Sequence, residues 1–98
     1  MTIYDIGQVV RISKAFVNAA GSATNPTTTT FSYTVNGGSA TTLTYGSNSN
    51  FVRSSTGNYY VDLDTTALGG LWRWIFAGTG AVVAAEQDTF YVMPTGVV

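Results

Sequence analysis

Cysteine and histidine are both absent from this chain of 98 residues. Without cysteine there can be no disulfide, no thiolate metal site and no thiol nucleophile. Without histidine the chain lacks the commonest general base and the commonest metal ligand. A serine or threonine nucleophile would then have no candidate base beyond a single lysine. We therefore predict that the protein is not an enzyme and uses no catalytic metal or cofactor.

Charge and long apolar runs are scarce as well. Four Lys and Arg residues stand against five Asp and Glu, for a net charge of −1. That is too little positive charge for a groove that follows a phosphate backbone, so we predict no nucleic-acid partner. No run approaches the ~18 apolar residues of a membrane span. The start Met1-Thr2-Ile3-Tyr4-Asp5 has no basic region before an apolar one, so we expect cytoplasmic synthesis without a secretion signal and no membrane partner.

Residues that favour β-strands are plentiful. The chain has six Tyr, five Phe and two Trp, and Thr and Val are frequent. Apolar and polar residues alternate in segments that we predict as strands, namely 8–17, 28–36, 40–45, 51–53, 58–64, 71–77 and 87–93. Residues 81–86 fit either an extended connection or one helical turn. This spacing predicts one all-β domain over 1–98, a β-sandwich or small barrel of about seven strands, with an N-terminal arm at 1–6 and a tail at 94–98.

The alternation also predicts which side chains form the core. On each predicted strand one parity is apolar and should face the opposite sheet. The predicted inward residues are Val10, Ile12, Phe16, Phe31, Tyr33, Val35, Leu43, Tyr59, Val61, Leu63, Trp72, Trp74, Phe76, Phe90 and Val92.

The second half of the chain carries a resemblance. The segment Gly57-Asn58-Tyr59-Tyr60-Val61-Asp62-Leu63-Asp64, followed by Gly69-Gly70-Leu71-Trp72-Arg73-Trp74, resembles the paired E and F strands of bacterial and phage immunoglobulin-like domains. More closely, the whole chain is similar to a family of small phage and prophage structural proteins. The matching pieces are Tyr4-Asp5-Ile6-Gly7-Gln8-Val9-Val10-Arg11, residues 16–21, Ser55-Thr56-Gly57-Asn58-Tyr59, Asp62-Leu63, Gly70-Leu71-Trp72, Gly78-Thr79-Gly80, Ala84-Ala85-Glu86 and Phe90-Tyr91-Val92.

The resemblance implies a single immunoglobulin-like antiparallel β-sandwich of about seven strands. It also implies a non-catalytic virion structural protein, and we expect a decoration or cement protein that stabilises the phage head. Its partners would be the major capsid protein, other virion proteins or copies of itself, and its location the virion. The chain departs from the family in its middle, where the family tends to carry a Pro-Asp-Gly turn and more charge. A head–tail connector or tail component, a carbohydrate- or receptor-binding immunoglobulin-like module and a fragment of a bacterial surface protein remain alternatives.

Several residues have two interpretations. Asp62 and Asp64 could be half of a Ca²⁺ site or two solvated carboxylates, and Glu86 and Asp88 form a second such pair. Lys14, the single lysine, lies on the apolar parity of its strand. It could form an isopeptide bond with an Asn, as in some immunoglobulin-like surface domains, or pack its stem and extend its ammonium group to water.

The Trp72-Arg73-Trp74 segment also has two interpretations. Arg73 could be a ligand or cation–π contact, or it could pair with a carboxylate, for which Glu86 is the candidate. Trp72 and Trp74 could form a sugar-stacking platform, but one parity of this strand must form the core, so we expect burial.

The apolar ends and the polar loops are the predicted attachment surfaces. Apolar termini fray in water unless a partner or the domain itself orders them. We expect at least one terminus to bind a partner, together with the hairpin at 36–39 or the loop at 46–50, unless Ile3 and Tyr4 fold back as the first strand. The candidate contact residues are Ile3, Tyr4, Asn36, Gly37, Gly38, Ser47, Asn48, Ser49, Val97 and Val98.

Overall fold

A computed structural model describes residues 2–65 and 69–93, and within them every regular element is a β-strand. The strands are β1 (Thr2–Asp5), β2 (Val9–Ala15), β3 (Thr28–Val35), β4 (Thr41–Thr44), β5 (Phe51–Ser55), β6 (Asn58–Asp64), β7 (Gly70–Thr79) and β8 (Ala84–Met93). The predicted all-β fold is confirmed, with eight strands rather than about seven.

The strands form two sheets that pack as a sandwich. The five-stranded sheet has the order β1-β8-β7-β3-β4, and the three-stranded sheet has the order β2-β6-β5. In immunoglobulin domains strands G, F and C share one sheet and strands B, E and D the other. In the larger sheet of this protein, the positions of G, F and C are occupied by β8, β7 and β3, and β4 is an added strand beside β3. In the smaller sheet, the positions of B, E and D are occupied by β2, β6 and β5. The order of the strands is therefore immunoglobulin-like.

Two expectations about strand pairing need correction. The predicted arm at 1–6 contains β1, which pairs with β8 in parallel, so the sandwich is not wholly antiparallel. The segments likened to E and F strands are β6 and β7, which lie in opposite sheets as E and F do in immunoglobulin domains, so they are not paired with each other. The ambiguous segment 81–86 contains no helical turn, because β8 already begins at Ala84. The predicted tail at 94–98 lies outside the described residues.

The core lies between the two sheets, and the alternation predicted it well. Every residue of the predicted core is buried or partly buried. Phe76 is fully buried at its centre, with ring centroids 5.3 Å from Phe31, 6.0 Å from Phe16 and 5.4 Å from Phe51. Because Phe76 belongs to the larger sheet and Phe51 to the smaller one, the contact between their rings joins the two sheets. Edge-to-face pairs of this kind add about 0.5–1.5 kcal/mol each beyond the area they bury.

Several buried residues were not predicted, among them Phe51, Val82 and Thr65. Phe51 begins a strand whose predicted length of three residues was too short to show a parity. Val82 lies in the connection between β7 and β8, where no alternation exists to reveal it. Thr65 follows β6 and donates a 2.7 Å hydrogen bond from its hydroxyl to the carbonyl oxygen of Gln8, which satisfies a polar group that burial would otherwise penalise.

Candidate interaction surface

The outward face of the five-stranded sheet is the broadest regular surface of the described residues. The registers of β1, β8, β7, β3 and β4 place mainly hydroxyl-bearing and apolar residues on it. Among the outward positions of these strands, Asp5 and Arg73 are the charged ones. We call this surface the outer face; it comprises Ile3, Asp5, Thr28, Thr30, Ser32, Thr34, Thr42, Thr44, Leu71, Arg73, Ile75, Ala77, Thr79, Ala85, Gln87, Thr89, Tyr91 and Met93.

An apolar row crosses one end of the outer face. Ile3 on β1 is in register with Tyr91 on β8, which is in register with Leu71 on β7. The side chain of Ile3 is 63% exposed, and Met93 beside Tyr91 is also exposed. Large contiguous apolar patches are rare on soluble monomers and are typical of contact surfaces, which makes this row a candidate for one.

A shallow groove of about 480 Å³ lies next to this row, in the middle of the outer face. Its outward-facing lining residues include Ser32, Thr34, Arg73, Ile75, Gln87 and Thr89, and we call it the Arg73 groove. Arg73 is in register with Thr34 on one side and Thr89 on the other. Ile75, 45% exposed, is in register with Ser32 and Gln87. The groove therefore presents one cation, one apolar side chain and several hydroxyl and amide groups.

The other three cations of the chain are engaged within the protein. On the smaller sheet Arg11 donates from Nε and Nη2 to the two carboxylate oxygens of Asp62, at 2.8 and 3.0 Å, and its guanidinium lies 3.8 Å from the ring centre of Tyr60. The hydrogen bonds from Arg11 hold the pKa of Asp62 below its usual value. Arg53 lies over the ring of Tyr45, with 5.5 Å from its guanidinium carbon to the ring centre.

Lys14 and Glu86 form an ion pair between the two sheets. Both lie on the inward parity of their strands, and the ammonium of Lys14 is 3.2 Å from a carboxylate oxygen of Glu86. The predicted pairing of Glu86 with Arg73 is wrong, because Arg73 lies on the opposite parity and faces outward. The isopeptide hypothesis also gains no support. The carboxylate beside Lys14 is half exposed, whereas that reaction requires a buried acid.

The structure also bears on the two acidic pairs. Asp62 is held in the ion pair with Arg11, and Glu86 in the pair with Lys14. Asp88 accepts a hydrogen bond from the backbone N–H of Thr89. Across residues 2–65 and 69–93 no group of three or more acidic side chains lies close enough together to hold a metal ion. The Ca²⁺ hypothesis therefore finds no ligand set in that part of the chain.

The predicted contact residues divide into those that are free to meet a partner and those with internal roles. Ile3, Gly37, Gly38, Ser47 and Ser49 are exposed. Tyr4 is partly buried, and its ring packs edge-on against Phe90 with centroids 5.4 Å apart. The side chain of Asn36 is hydrogen-bonded to the backbone of Gly69 and Leu71 at the start of β7, and that of Asn48 accepts a hydrogen bond from the N–H of Thr44. Val97 and Val98 lie outside the described residues.

The prediction missed most of the outer face. Leu71, Ile75 and Tyr91 were not proposed as contacts, and Arg73 was a ligand contact in only one of its two interpretations, although all four occupy the positions between the predicted core residues of their strands. The alternation that identified the core therefore also contained the signal for this surface. The two tryptophans are confirmed as core residues, 1% exposed for Trp72 and 7% for Trp74, so they do not form an exposed platform.

No protein-family model matches the chain, and no curated protein is significantly similar to it. Within the described residues there is also no helix of the length and apolar character that a membrane crossing requires.

Proposed function

We propose that this chain is a non-catalytic structural protein of a phage virion, where it decorates or cements the capsid shell. The observation that carries the proposal is the outer face, a five-stranded sheet surface with two charged positions and an apolar row ending in the exposed Ile3. A protein that stays free in solution gains from a more charged surface. A surface of this composition suits permanent packing against other subunits.

The resemblance to small phage and prophage structural proteins supports the same function, and the immunoglobulin-like strand order agrees with it. The mechanism is passive. Many copies bind the assembled shell and not its separated subunits, so binding shifts the equilibrium toward the assembled particle by mass action. Because the outer face contributes few ion pairs, attachment depends mainly on buried apolar area and hydrogen bonds and weakens little as salt is raised.

The location is tested on particles. Virions are purified from the phage whose genome carries this sequence, and the chain is sought by immunoblot and by electron-microscopy reconstruction. We expect density for an eight-stranded sandwich at regular positions on the capsid surface. Density at the neck or tail would assign the chain to a connector or tail component instead, and its absence from the particle would refute a virion role.

The surface is tested with two matched variants. Ile3→Ser changes an exposed aliphatic residue of the outer face, and Val9→Ser changes an equally exposed one, 63% against 59%, on the smaller sheet. In co-sedimentation with particles that lack the chain, we expect Ile3→Ser to weaken binding and Val9→Ser to leave it unchanged. Equal effects of the two variants would contradict attachment through the outer face.

A further inference from the structure

We propose that the Arg73 groove is a carboxylate-binding site that receives an extended segment of a partner protein, with an Asp or Glu side chain of that segment bound by the Arg73 guanidinium. The inference rests on the proposed function, because it names the chemistry by which the outer face recognises the virion protein it covers.

The first step is the distribution of charge. Of the four cations in the chain, Arg11 and Lys14 are ion-paired and Arg53 lies over an aromatic ring. Within residues 2–65 and 69–93, Arg73 has neither an ion pair nor a side-chain hydrogen bond nor an aromatic ring beneath it. An exposed arginine with no partner costs little, but its five donors remain available to a ligand.

The second step is the rigidity of the site. Arg73 is in the middle of β7, which pairs with β3 on one side and β8 on the other over almost its full length. The hydroxyls of Thr34 and Thr89 flank it in register, and the inward neighbours Trp72 and Trp74 anchor the strand in the core. A binding group on a central strand is held in place more firmly than one on a loop, so less entropy is lost on binding.

The third step is the chemistry of the ligand. The planar guanidinium matches a carboxylate with two parallel N–H···O bonds. A phosphate group carries more charge and usually meets several cations, whereas the groove presents one. Asp88 also lines the groove, but it lies on the inward parity of β8, opposite Trp74, and its carboxylate accepts the N–H of Thr89. It therefore does not fill the place of the ligand beside Arg73.

The fourth step is the spacing, which favours a protein segment over a small acid. Ile75 lies two residues from Arg73 on the same face, about 7 Å along the strand. An extended segment also repeats its side chains every two residues on one face. A segment with an acidic residue and an aliphatic residue two positions apart can therefore contact Arg73 and Ile75 together, while the hydroxyl and amide groups of Thr34, Gln87 and Thr89 meet its backbone.

The experiment is a titration of the ¹⁵N-labelled protein followed by NMR, including the Nε–H signals of arginine. The probe is the peptide acetyl-Thr-Glu-Thr-Val-Thr-amide, and its matched control has Gln in place of Glu. We expect saturable shifts at the Arg73 Nε–H and at the amides of Ile75, Gln87 and Thr89 with the Glu peptide. The Gln peptide should bind at least about tenfold more weakly, because hydrogen bonds to charged groups are the stronger ones.

Three variants complete the test. Arg73→Gln should raise the Kd for the Glu peptide at least about tenfold, and Arg73→Lys should raise it by a smaller factor because the charge stays while the paired geometry is lost. Arg53→Gln, an equal charge change on the other sheet, should leave the Kd unchanged. The amide spectrum of each variant shows that it is folded. Equal binding of the two peptides, unchanged binding by Arg73→Gln, shifts centred elsewhere or no shifts would each overturn the proposal.

This experiment is separate from the particle assay. If the wild-type chain binds particles but the peptide titration fails, the carboxylate site is wrong and the decoration role stands. If the titration succeeds but the chain is absent from virions, the groove remains a carboxylate site and the decoration role is wrong.

Discussion

The side chain of Asn36 occupies the space that a Cβ atom at Gly70 would fill. Its amide donates to the carbonyl oxygen of Gly69 at 3.1 Å, and its oxygen accepts the N–H of Leu71 at 3.0 Å. A Cβ built on Gly70 would meet all the amide atoms of Asn36 closely, and Gly70 has a positive φ of 124°. Asn36, a predicted partner contact, therefore has a structural role in positioning the start of β7.

Gly70→Ala should destabilise the domain by several kcal/mol, because a non-glycine residue at this φ is strained and the new methyl group displaces the Asn36 amide. Asn36→Gly should cost less, about 1–2 kcal/mol, since glycine keeps the positive φ of 53° and only the two side-chain hydrogen bonds are lost. Urea unfolding of both single variants and the double variant measures the coupling. We expect Gly70→Ala to cost less in the Asn36→Gly background, and additive costs would contradict the displacement.

Trp72→Ala should lower the free energy of unfolding by about 3–5 kcal/mol, the usual cost of removing a fully buried large aromatic side chain. The ring of Trp72 stacks between Tyr33 and Phe90, at 5.2 and 5.3 Å, so its loss leaves a cavity that these rings cannot both fill. The control is Ile75→Ala on the outer face of the same strand, which should change stability by no more than about 0.5 kcal/mol. Thermal melts that are equal for the two variants would refute the core role.

Gly57→Ala should be more destabilising than Gly37→Ala, although the two glycines have nearly the same φ, 76° and 73°. At Gly57 a Cβ would lie 2.6 Å from the carbonyl oxygen of Phe16 and 2.9 Å from the nitrogen of Thr24, whereas at Gly37 nothing lies within 4 Å. Both variants share a backbone strain of about 1–2 kcal/mol. Chemical denaturation of the two variants measures the extra loss of stability that the close contacts at Gly57 cause. A Gly37→Ala variant as unstable as Gly57→Ala would contradict this prediction.

Acidification should weaken the contribution of the Arg11–Asp62 pair. The folded state holds the pKa of Asp62 below that of the unfolded chain, so this contribution is complete above about pH 4 and is lost as the pH falls through the folded pKa. Asp62→Asn should therefore flatten the acid limb of a plot of melting temperature against pH. Asp5→Asn serves as the control, since Asp5 makes no ion pair with any residue that the structure describes. If Asp62→Asn left the acid limb unchanged, the Arg11–Asp62 ion pair would not contribute to stability as predicted.

The two faces of β1 should respond differently to mutation. Tyr4→Ala should cost about 1–3 kcal/mol, because its ring is partly buried against Phe90. Ile3→Ala, at the adjacent outward position, should leave the melting temperature within a degree or two of the wild-type value. Differential scanning calorimetry of both variants checks this. If neither variant lowers the melting temperature, β1 does not stabilise the sandwich and acts as the free arm that the sequence also permits.

The sequence by itself determined the class of fold and most of the core. Alternation with a period of two is a local property, and it survives in any sheet with one buried face. For this reason the bounds of β6 were predicted to the residue and Phe31, Val61 and Trp72 were placed in the core. The same alternation also indicated which residues of β7 face outward, but it could not show which residues of other strands lie beside them.

Only the tertiary structure decided the partners. Lys14 and Glu86 are 72 residues apart, and their ion pair exists because β2 and β8 meet across the sandwich. Arg73 faces outward because of its parity on β7, between Thr34 and Thr89 from two other strands, and among the residues that the structure describes no carboxylate pairs with it. Likewise, the Asn-Gly pair at 36–37 indicated a turn. The two hydrogen bonds between the Asn36 side chain and the start of β7 form only because the sheet brings Gly70 beside Asn36. Contacts between distant residues follow from the strand order, which a local pattern does not specify.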